Sequence, residues 1–270
     1  MPSHLSSSYS NIAGRSSCPS LSRMINWCTC LLLTMVGFST IAQGQEQLKL
    51  VANYWEPYTG ENLPDQGLAT EIVTTALHQA GYTTTVSIVP WLRVLATTYS
   101  GNADGIVAVW TTKERQLNLV LSNAYLYNKM VLLHMHGKFT DRKTLADLTG
   151  LKIGVGRGYD YNDAFLSTSN FHRDPTDSVL SNLRKLSAGH VDLVLEDQRI
   201  AQYNLAIHRA EISDSDKIEL ADSTLFTLPL YFGVSRKRPD ADIIVARFNT
   251  AIKKMRADGT IDAIFRRFHQ

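Results

Sequence analysis

Short apolar runs alternating with helical stretches constrain this chain more than any other feature. Ile106-Val107-Ala108-Val109 and Leu193-Val194-Leu195 carry no polar residue on either face, so each must be covered on both sides. Continuous rather than alternating apolar strands are the pattern of parallel sheets with helices packed on both faces. The pattern predicts strands over 48–53, 84–90, 105–110, 129–135, 151–156, 191–196 and 230–237. Residues 67–81, 91–101, 177–189, 197–210 and 239–259 have apolar residues at helical spacing, and Gly81, Gly101, Gly189 and Gly259 end four of these segments. A short helix is predicted over 143–150. The alternation makes the class α/β. "GNADGIVAVW" (101–110) and "GHVDLVLEDQ" (189–198) share a helix-ending Gly, an Asp three residues on, and an apolar strand. Two units of similar build suit this length better than one sheet of about eleven strands.

The first 44 residues stand apart. They hold Arg15 and Arg23, no acid, and the 15-residue apolar run "WCTCLLLTMVGFSTI" (27–41), followed by Ala42-Gln43-Gly44. A membrane span needs about 20 residues; this run has the length of a signal-peptide core, with small residues where a peptidase cuts. Residues 1–44 are therefore expected to be a signal peptide, starting at Met1 or Met24. All three cysteines (Cys18, Cys28, Cys30) lie in it, so the exported chain is expected to rely on a packed core rather than disulfides. The chain has 27 Lys and Arg against 25 Asp and Glu, and two of those bases are in the leader, so the signs balance in the remainder. That balance argues against nucleic acid or an anionic membrane as partner.

Ligands of open α/β sheets bind beyond the carboxyl ends of the parallel strands. The residues there are Trp55 and Tyr58 after the first strand, Trp91 after the second, and Trp110 and Arg115 after the third. Arg157, Tyr159 and Tyr161 follow 151–156, and Glu196 and Asp197 follow 191–195. Aromatic faces with arginines and an acid pair suit a small zwitterion or amine. Thr111 and Glu114 read as a capping box opening a helix, which puts Arg115 in the first turn, where the macrodipole disfavours a cation by about 0.3–1 kcal/mol. Such a cation invites an anionic ligand, although Glu114 or Asp104 could pair it. Asp197 could equally cap the helix beginning at Gln198, and Glu196 is expected to face solvent or a hinge. The Gly156–Gly158 turn could offer N–H groups to an anion. His134 and His136 alternate on one strand but lack a matched third ligand, so neither metal nor cofactor is expected.

The segments "GLATEIVTTALHQAGY", "GNADGIVAVWTTKERQLNLVLSNAYL", "KTLADLTGLKIGVGRG", "SAGHVDLVLED" and "FNTAIKKMRADGTIDAIFRRF" together resemble the family 3 extracellular solute-binding proteins. These are polar-amino-acid receptors that feed ABC importers, and the resemblance covers nearly all of 47–270. It implies a two-lobed periplasmic-binding-protein-like fold of type II, each lobe a mostly parallel sheet flanked by helices. Lobe 1 would be 45–128 plus 230–270 and lobe 2 would be 129–229, with hinge crossings near Tyr127–Asn128 and Thr227–Pro229. It further implies a periplasmic or extracellular monomer that traps a small polar solute and docks on a membrane permease or sensor. In relatives the arginine matching Arg115 grips the ligand α-carboxylate, the aspartate matching Asp197 takes the α-ammonium, and an aromatic at Trp91's place covers the side chain. Two departures add bulk. Trp110 stands where relatives often have Ser or Thr, and Gly158-Tyr159-Asp160-Tyr161 replaces a Gly-Ser/Thr-Thr loop. Some relatives resemble cyclohexadienyl dehydratases, for which Glu196 or Asp197 would be the general acid; a sensory module is a third reading.

Overall fold

The computed structural model describes Ser10 and residues 45–268; the signal-peptide reading of 1–44 falls outside the described residues, Ser10 apart. The first half opens with strand β1 (Glu46–Ala52), helix α1 (Leu68–Gln79), β2 (Tyr82–Ile88), α2 (Trp91–Tyr99), β3 (Gly105–Val109), the short α3 (Lys113–Asn118) and β4 (Leu119–Leu121). Strand β5 (Leu126–Met135) then leads into β6 (Lys152–Gly156), α4 (Asp163–Ser167), β7 (His172–Thr176), α5 (Val179–Ser187), β8 (Leu193–Asp197) and α6 (Gln198–Ile207). Strand β9 (Ile218–Ser235) returns, and α7 (Ala241–Ala257) and α8 (Thr260–Arg267) close the chain.

Two sheet segments result, joined by one strand. The order is β2-β1-β3-β9-β5-β8-β6-β7, with β4 on β9. β1 pairs in parallel with β2 and β3, and β6 pairs in parallel with β7 and β8. Antiparallel pairs occur where the chain passes between the segments. The carboxyl end of β9 lies against β3 and β4, and its earlier part runs beside β5 from Met135↔Ile218 to Leu126↔Leu230. Tyr127 faces Pro229 and Asn128 faces Leu228 in this register, so the two passages between the halves lie side by side.

Local chemistry explains the elements. Every residue of β3 is buried, as two-sided coverage of a continuous apolar strand requires. Helix α1 buries Leu68, Ala69, Ile72, Val73, Ala76 and Leu77, one stripe at helical spacing. Helix α7 does the same with Ile244, Val245, Phe248, Ala251, Ile252 and Met255.

Several expectations are corrected. The helix expected over 143–150 is only a 3-10 turn at Leu145–Leu148, closed by a Thr144–Asp147 capping box. β4, β7 and α4 were not expected. β7 reads "HRDPT", too polar for an apolar-run criterion, and its Pro175 is tolerable because β7 is the edge strand. β9 spans 18 residues instead of starting at 230, because its first part, "IELADSTLFT", is partly exposed and carries no continuous apolar run. The cap of α3 is Thr112 rather than Thr111: its hydroxyl accepts from the Arg115 N–H at 3.2 Å. Among the described residues no helix is long and apolar enough to cross a membrane.

Candidate functional site

The carboxyl ends of β1 and β3 in one half, and of β6 and β8 in the other, converge on one cleft. Arg115 is thrown into it from the first turn of α3 and is buried. Its Nη1 donates to the Trp110 carbonyl at 2.8 Å, its guanidinium lies 4.9 Å from the Trp91 ring centroid, and its Nη2 pairs with the carboxylate of Asp160 from the opposite half. The anion that meets this cation is therefore internal. Neither sequence-local candidate takes it; Asp104 instead pairs with Arg238 at 2.8 Å and accepts from the Lys49 N–H at 2.7 Å. Trp91 consequently stacks on the guanidinium, where the resemblance had it over a ligand side chain.

Aromatic rings fill the middle of the cleft. Trp55 lies 4.8 Å from Tyr58 and 5.5 Å from Trp110, centroid to centroid, and Trp110 lies 5.4 Å from Tyr159 and 6.4 Å from Tyr161. The Trp55 Nε1–H donates to the Tyr159 hydroxyl oxygen at 3.0 Å, joining the two halves. Gly156 makes room for Tyr159: a Cβ there would come within 2.9 Å of the ring. Tyr161 folds inward, its hydroxyl accepting from the Gly156 N–H at 2.9 Å and its ring against Phe165. Burial drives the phenol pKa values of Tyr58, Tyr159 and Tyr161 upward, so all three are neutral donors at physiological pH.

Asp197 is buried and occupied. Its Oδ1 caps α6 by accepting from the N–H groups of Arg199 (2.9 Å) and Ile200 (3.1 Å), and also accepts from the Tyr58 hydroxyl at 2.9 Å. Its Oδ2 accepts from the Asn128 Nδ2 at 3.1 Å. Burial raises its pKa while these donors pull the other way. The capping reading of Asp197 is realised, and the residue sits behind the cleft wall rather than on it. Tyr58 is likewise spent on Asp197. Arg157 borders both cavities with its guanidinium held by Asp177 (2.6 Å) and the Pro175 carbonyl (3.2 Å). Three N–H groups of the 156–159 turn are taken: those of 156, 157 and 159 bond to the Tyr161 hydroxyl and to the carbonyls of Thr176 and Gly156.

Among the described residues, two cavities have Trp55 and Tyr159 in the wall of both. One, of about 130 Å³, is lined by Asn53, Trp55, Trp91, Trp110, Arg115 and Asp160 among others. The other, of about 210 Å³, runs from Trp55 and Tyr159 to Thr176, Ser178, Asn182 and Glu196. Both fall short of the roughly 300–1,000 Å³ of ligand pockets in general. The expectation that Glu196 faces solvent or a hinge is corrected: it is only 1% exposed, because it is the fourth residue of a strand whose five residues are all buried. Its Oε1 accepts from the Asp197 N–H at 2.8 Å, its Oε2 has no partner, and desolvation pushes its pKa up to about 8. Asn182 is not singled out by the sequence at all, and Asp160 enters there only within the Gly158-Tyr159-Asp160-Tyr161 loop, with no role of its own. Asp160 stands beside Tyr159 in the loop that departs from the pattern of relatives, which was the available signal. His134 and His136 share Glu219, at 3.8 and 2.7 Å, and no metal-holding group of three His, Cys, Asp or Glu occurs among the described residues.

Residues 50–270 match the model of the bacterial extracellular solute-binding proteins, family 3. The L-cystine-binding protein TcyJ of Escherichia coli (strain K12) is 26% identical over 186 residues, 64% of this chain and 63% of that protein. The chain thus spans somewhat under two thirds of this curated relative. Among solved structures, an ancestral arginine-binding protein bound to arginine superposes with a TM-score of 0.66 at 19% identity, over 83% of this chain and 98% of that one. The ancestral amino acid-binding protein AncCDT-1, a precursor of cyclohexadienyl dehydratase, gives 0.64 at 17% identity, over 83% and 96%. At these identities the superpositions speak for the fold alone, and the fold is the two-lobed type II binding-protein fold.

Proposed function

The chain belongs to the bacterial extracellular solute-binding proteins of family 3, and from that premise we propose that it is an exported receptor that closes on a small polar solute bearing a carboxylate. An amino acid or a related amine or carboxylate is the class in view, handed on to the permease of an ABC importer. The named specificity of TcyJ for L-cystine and of the arginine-binding neighbour for arginine supports that class. We take the lobes as 45–128 plus 230–270 and 129–229, hinged where β5 and β9 run side by side, and the protein as a monomer in the periplasm or outside the cell.

The observation that carries the reading is the buried Arg115 guanidinium already holding a carboxylate, that of Asp160, across the cleft. In this reading Asp160 occupies the position of the solute's carboxylate in the unliganded closed form. Opening at the hinge separates Asp160 from Arg115 and Tyr159 from Trp55. A solute then enters with its carboxylate on Arg115 and its body against Trp55, Trp91 and Trp110, and Tyr159 and Tyr161 return over it from the other lobe. Differential affinity for the closed state drives closure. A micromolar Kd needs about −8 kcal/mol, within reach of one desolvated charge pair and two or three aromatic faces once ordering costs are met.

A thermal-shift screen of amino acids, amines and small carboxylates on the purified protein, followed by calorimetry, tests this. Arg115→Ala should abolish binding of the best carboxylate; retained affinity moves the site elsewhere. The dehydratase reading draws on Glu196, whose proton is held at neutral pH and is available to a leaving group. Incubation with prephenate or arogenate decides it: turnover lost in Glu196→Gln would establish an enzyme.

A further inference from the structure

We infer that the cavity at Glu196 and Asn182 is a separate binding site for a protonated primary amine. This goes beyond the carboxylate reading and does not use Arg115. Two side chains, each 1% exposed, line it with unsatisfied polar atoms: the Oε2 of Glu196 and both the Oδ1 and Nδ2 of Asn182 have no hydrogen-bond partner. An unpaired buried polar atom costs about 1–3 kcal/mol, so the two acceptors among them, the Glu196 Oε2 and the Asn182 Oδ1, point to a donor that completes both. Asn182 is held there by close packing, its Oδ1 lying where a Cβ on Gly154 would approach to 2.7 Å. Thr176 and Ser178 are in the same lining; the Thr176 hydroxyl donates to the Ser178 carbonyl at 3.0 Å and the Ser178 hydroxyl accepts from the Ser181 N–H at 3.1 Å, which leaves each oxygen a lone pair to offer.

The sign of charge selects the occupant. Glu56 and Asp177 line the cavity with a single cation, Arg157, whose guanidinium is bonded to Asp177, and Glu196 adds a third negative charge once it gives up its proton. An ammonium carries three donors and no acceptor, so it fits the Glu196 Oε2, the Asn182 Oδ1 and a hydroxyl oxygen, while the Asn182 Nδ2, itself a donor, needs an acceptor on the body of the ligand or a water. An anion would need Glu196 to keep its proton, so its affinity would fall as the pH rises, the opposite dependence. Asp197, the other carboxylate at this strand end, is occupied by four donors, which leaves Glu196 as the one free to act.

Binding is coupled to a proton. The groups around Glu196 are Asp197 on its own strand, Tyr159 and Tyr161 with Arg157 from the loop after β6, Asp177 from the turn after β7, Arg199 on α6, and Glu56 from the other half. Burial keeps the empty carboxyl protonated below pH about 8. An ammonium docked on it displaces that proton to solvent, so affinity rises with pH toward 8, approaching tenfold per pH unit at the lower end.

The test is calorimetric titration of the purified protein with 1,4-diaminobutane, with butane-1,4-diol as the neutral control, in phosphate and in HEPES. Expected are binding of the diamine and not the diol, and nearly one proton released at pH 7. Glu196→Gln should weaken the diamine at least tenfold and abolish the proton release; Asn182→Ala should weaken it as well. No diamine binding, equal binding of diol and diamine, or unchanged affinity in a folded Glu196→Gln protein overturns the inference. If Glu196→Gln does not fold, wild-type binding independent of pH between 6 and 8 overturns it. A carboxylate that binds through Arg115 while the diamine does not would sink this site and leave the proposed function standing.

Discussion

Trp55 and Tyr159 meet across the cleft, the indole Nε1–H donating to the phenol oxygen at 3.0 Å, and both side chains wall both cavities. The bond is made between an aromatic loop after β1 and the loop after β6, so it forms only when the two halves are together. Tyr159→Phe removes the bond and keeps the ring. The unliganded protein should lose about 0.5–1.5 kcal/mol of stability, read by urea unfolding, and small-angle scattering should show a larger radius of gyration. Unchanged dimensions and stability would mean that the bond does not hold the cleft shut.

Much of this arrangement was legible in the chain, and the illegible part has a physical cause. The alternation of apolar runs and amphipathic helices is enough for an α/β class, and β3 and β8 read correctly because both their faces are buried. The clustering of Trp55, Trp91, Trp110 and Arg115 followed from strand-end logic, since parallel strands of one sheet segment must end on the same side. What could not be read was which partner each charged group finds. Arg115 and Asp160 are 45 residues apart and meet only through the approach of the two halves. Asp197 and Glu196 are adjacent and alike in sequence, yet strand alternation sends one to the helix cap and the other toward a cavity. The long β9 escaped because an apolar-run criterion cannot see a partly exposed antiparallel strand.

The Arg115–Asp160 pair predicts an unusual gain. Asp160 has 41% of its side chain exposed, so screening limits the pair to about 1 kcal/mol, yet any solute carboxylate must displace it. Asp160→Asn removes the competitor and should tighten a carboxylate solute by about fivefold, measured by calorimetry, while the unliganded cleft becomes easier to open. Weaker binding in Asp160→Asn would mean that Asp160 assists the solute rather than standing in for it.

Asp197 is expected to behave as a structural hub. Replacing it with Ala removes the α6 cap, worth about 0.5–2 kcal/mol, and strands the buried Tyr58 hydroxyl and Asn128 amide, each at about 1–3 kcal/mol. Asn128 is also the acceptor for the Trp110 Nε1–H at 2.8 Å, so the loss should spread to the cleft wall. Urea unfolding should therefore show Asp197→Ala destabilised by several kcal/mol. Asp197→Asn preserves the cap but sets two amide donors against each other at Asn128, and should cost less. In that milder variant the affinity for 1,4-diaminobutane should stay within about threefold of wild type. A tenfold loss there, matching Glu196→Gln, would return the ammonium to Asp197.

Glu196 also predicts a pH dependence of stability without any ligand. Its carboxyl titrates near 8 in the folded protein against an ordinary value of 4.5. Between those values the folded chain keeps a proton that the unfolded chain has released, so raising the pH favours unfolding. The stabilisation is complete below about pH 4.5, declines through the window, and is gone above about 8. Gln has no proton to lose, so Glu196→Gln should lack this slope. The two Tm curves should run closest near pH 5 and diverge toward pH 8, where the variant is the more stable by about a few kcal/mol. Asp197, whose own rise has the same sign, and the surface pair His136–Glu219 are present in both proteins and largely drop out of the difference. Parallel curves from pH 5 to 8 would show that Glu196 is already ionised in the empty cavity, and the proton-coupled amine site would lose its basis.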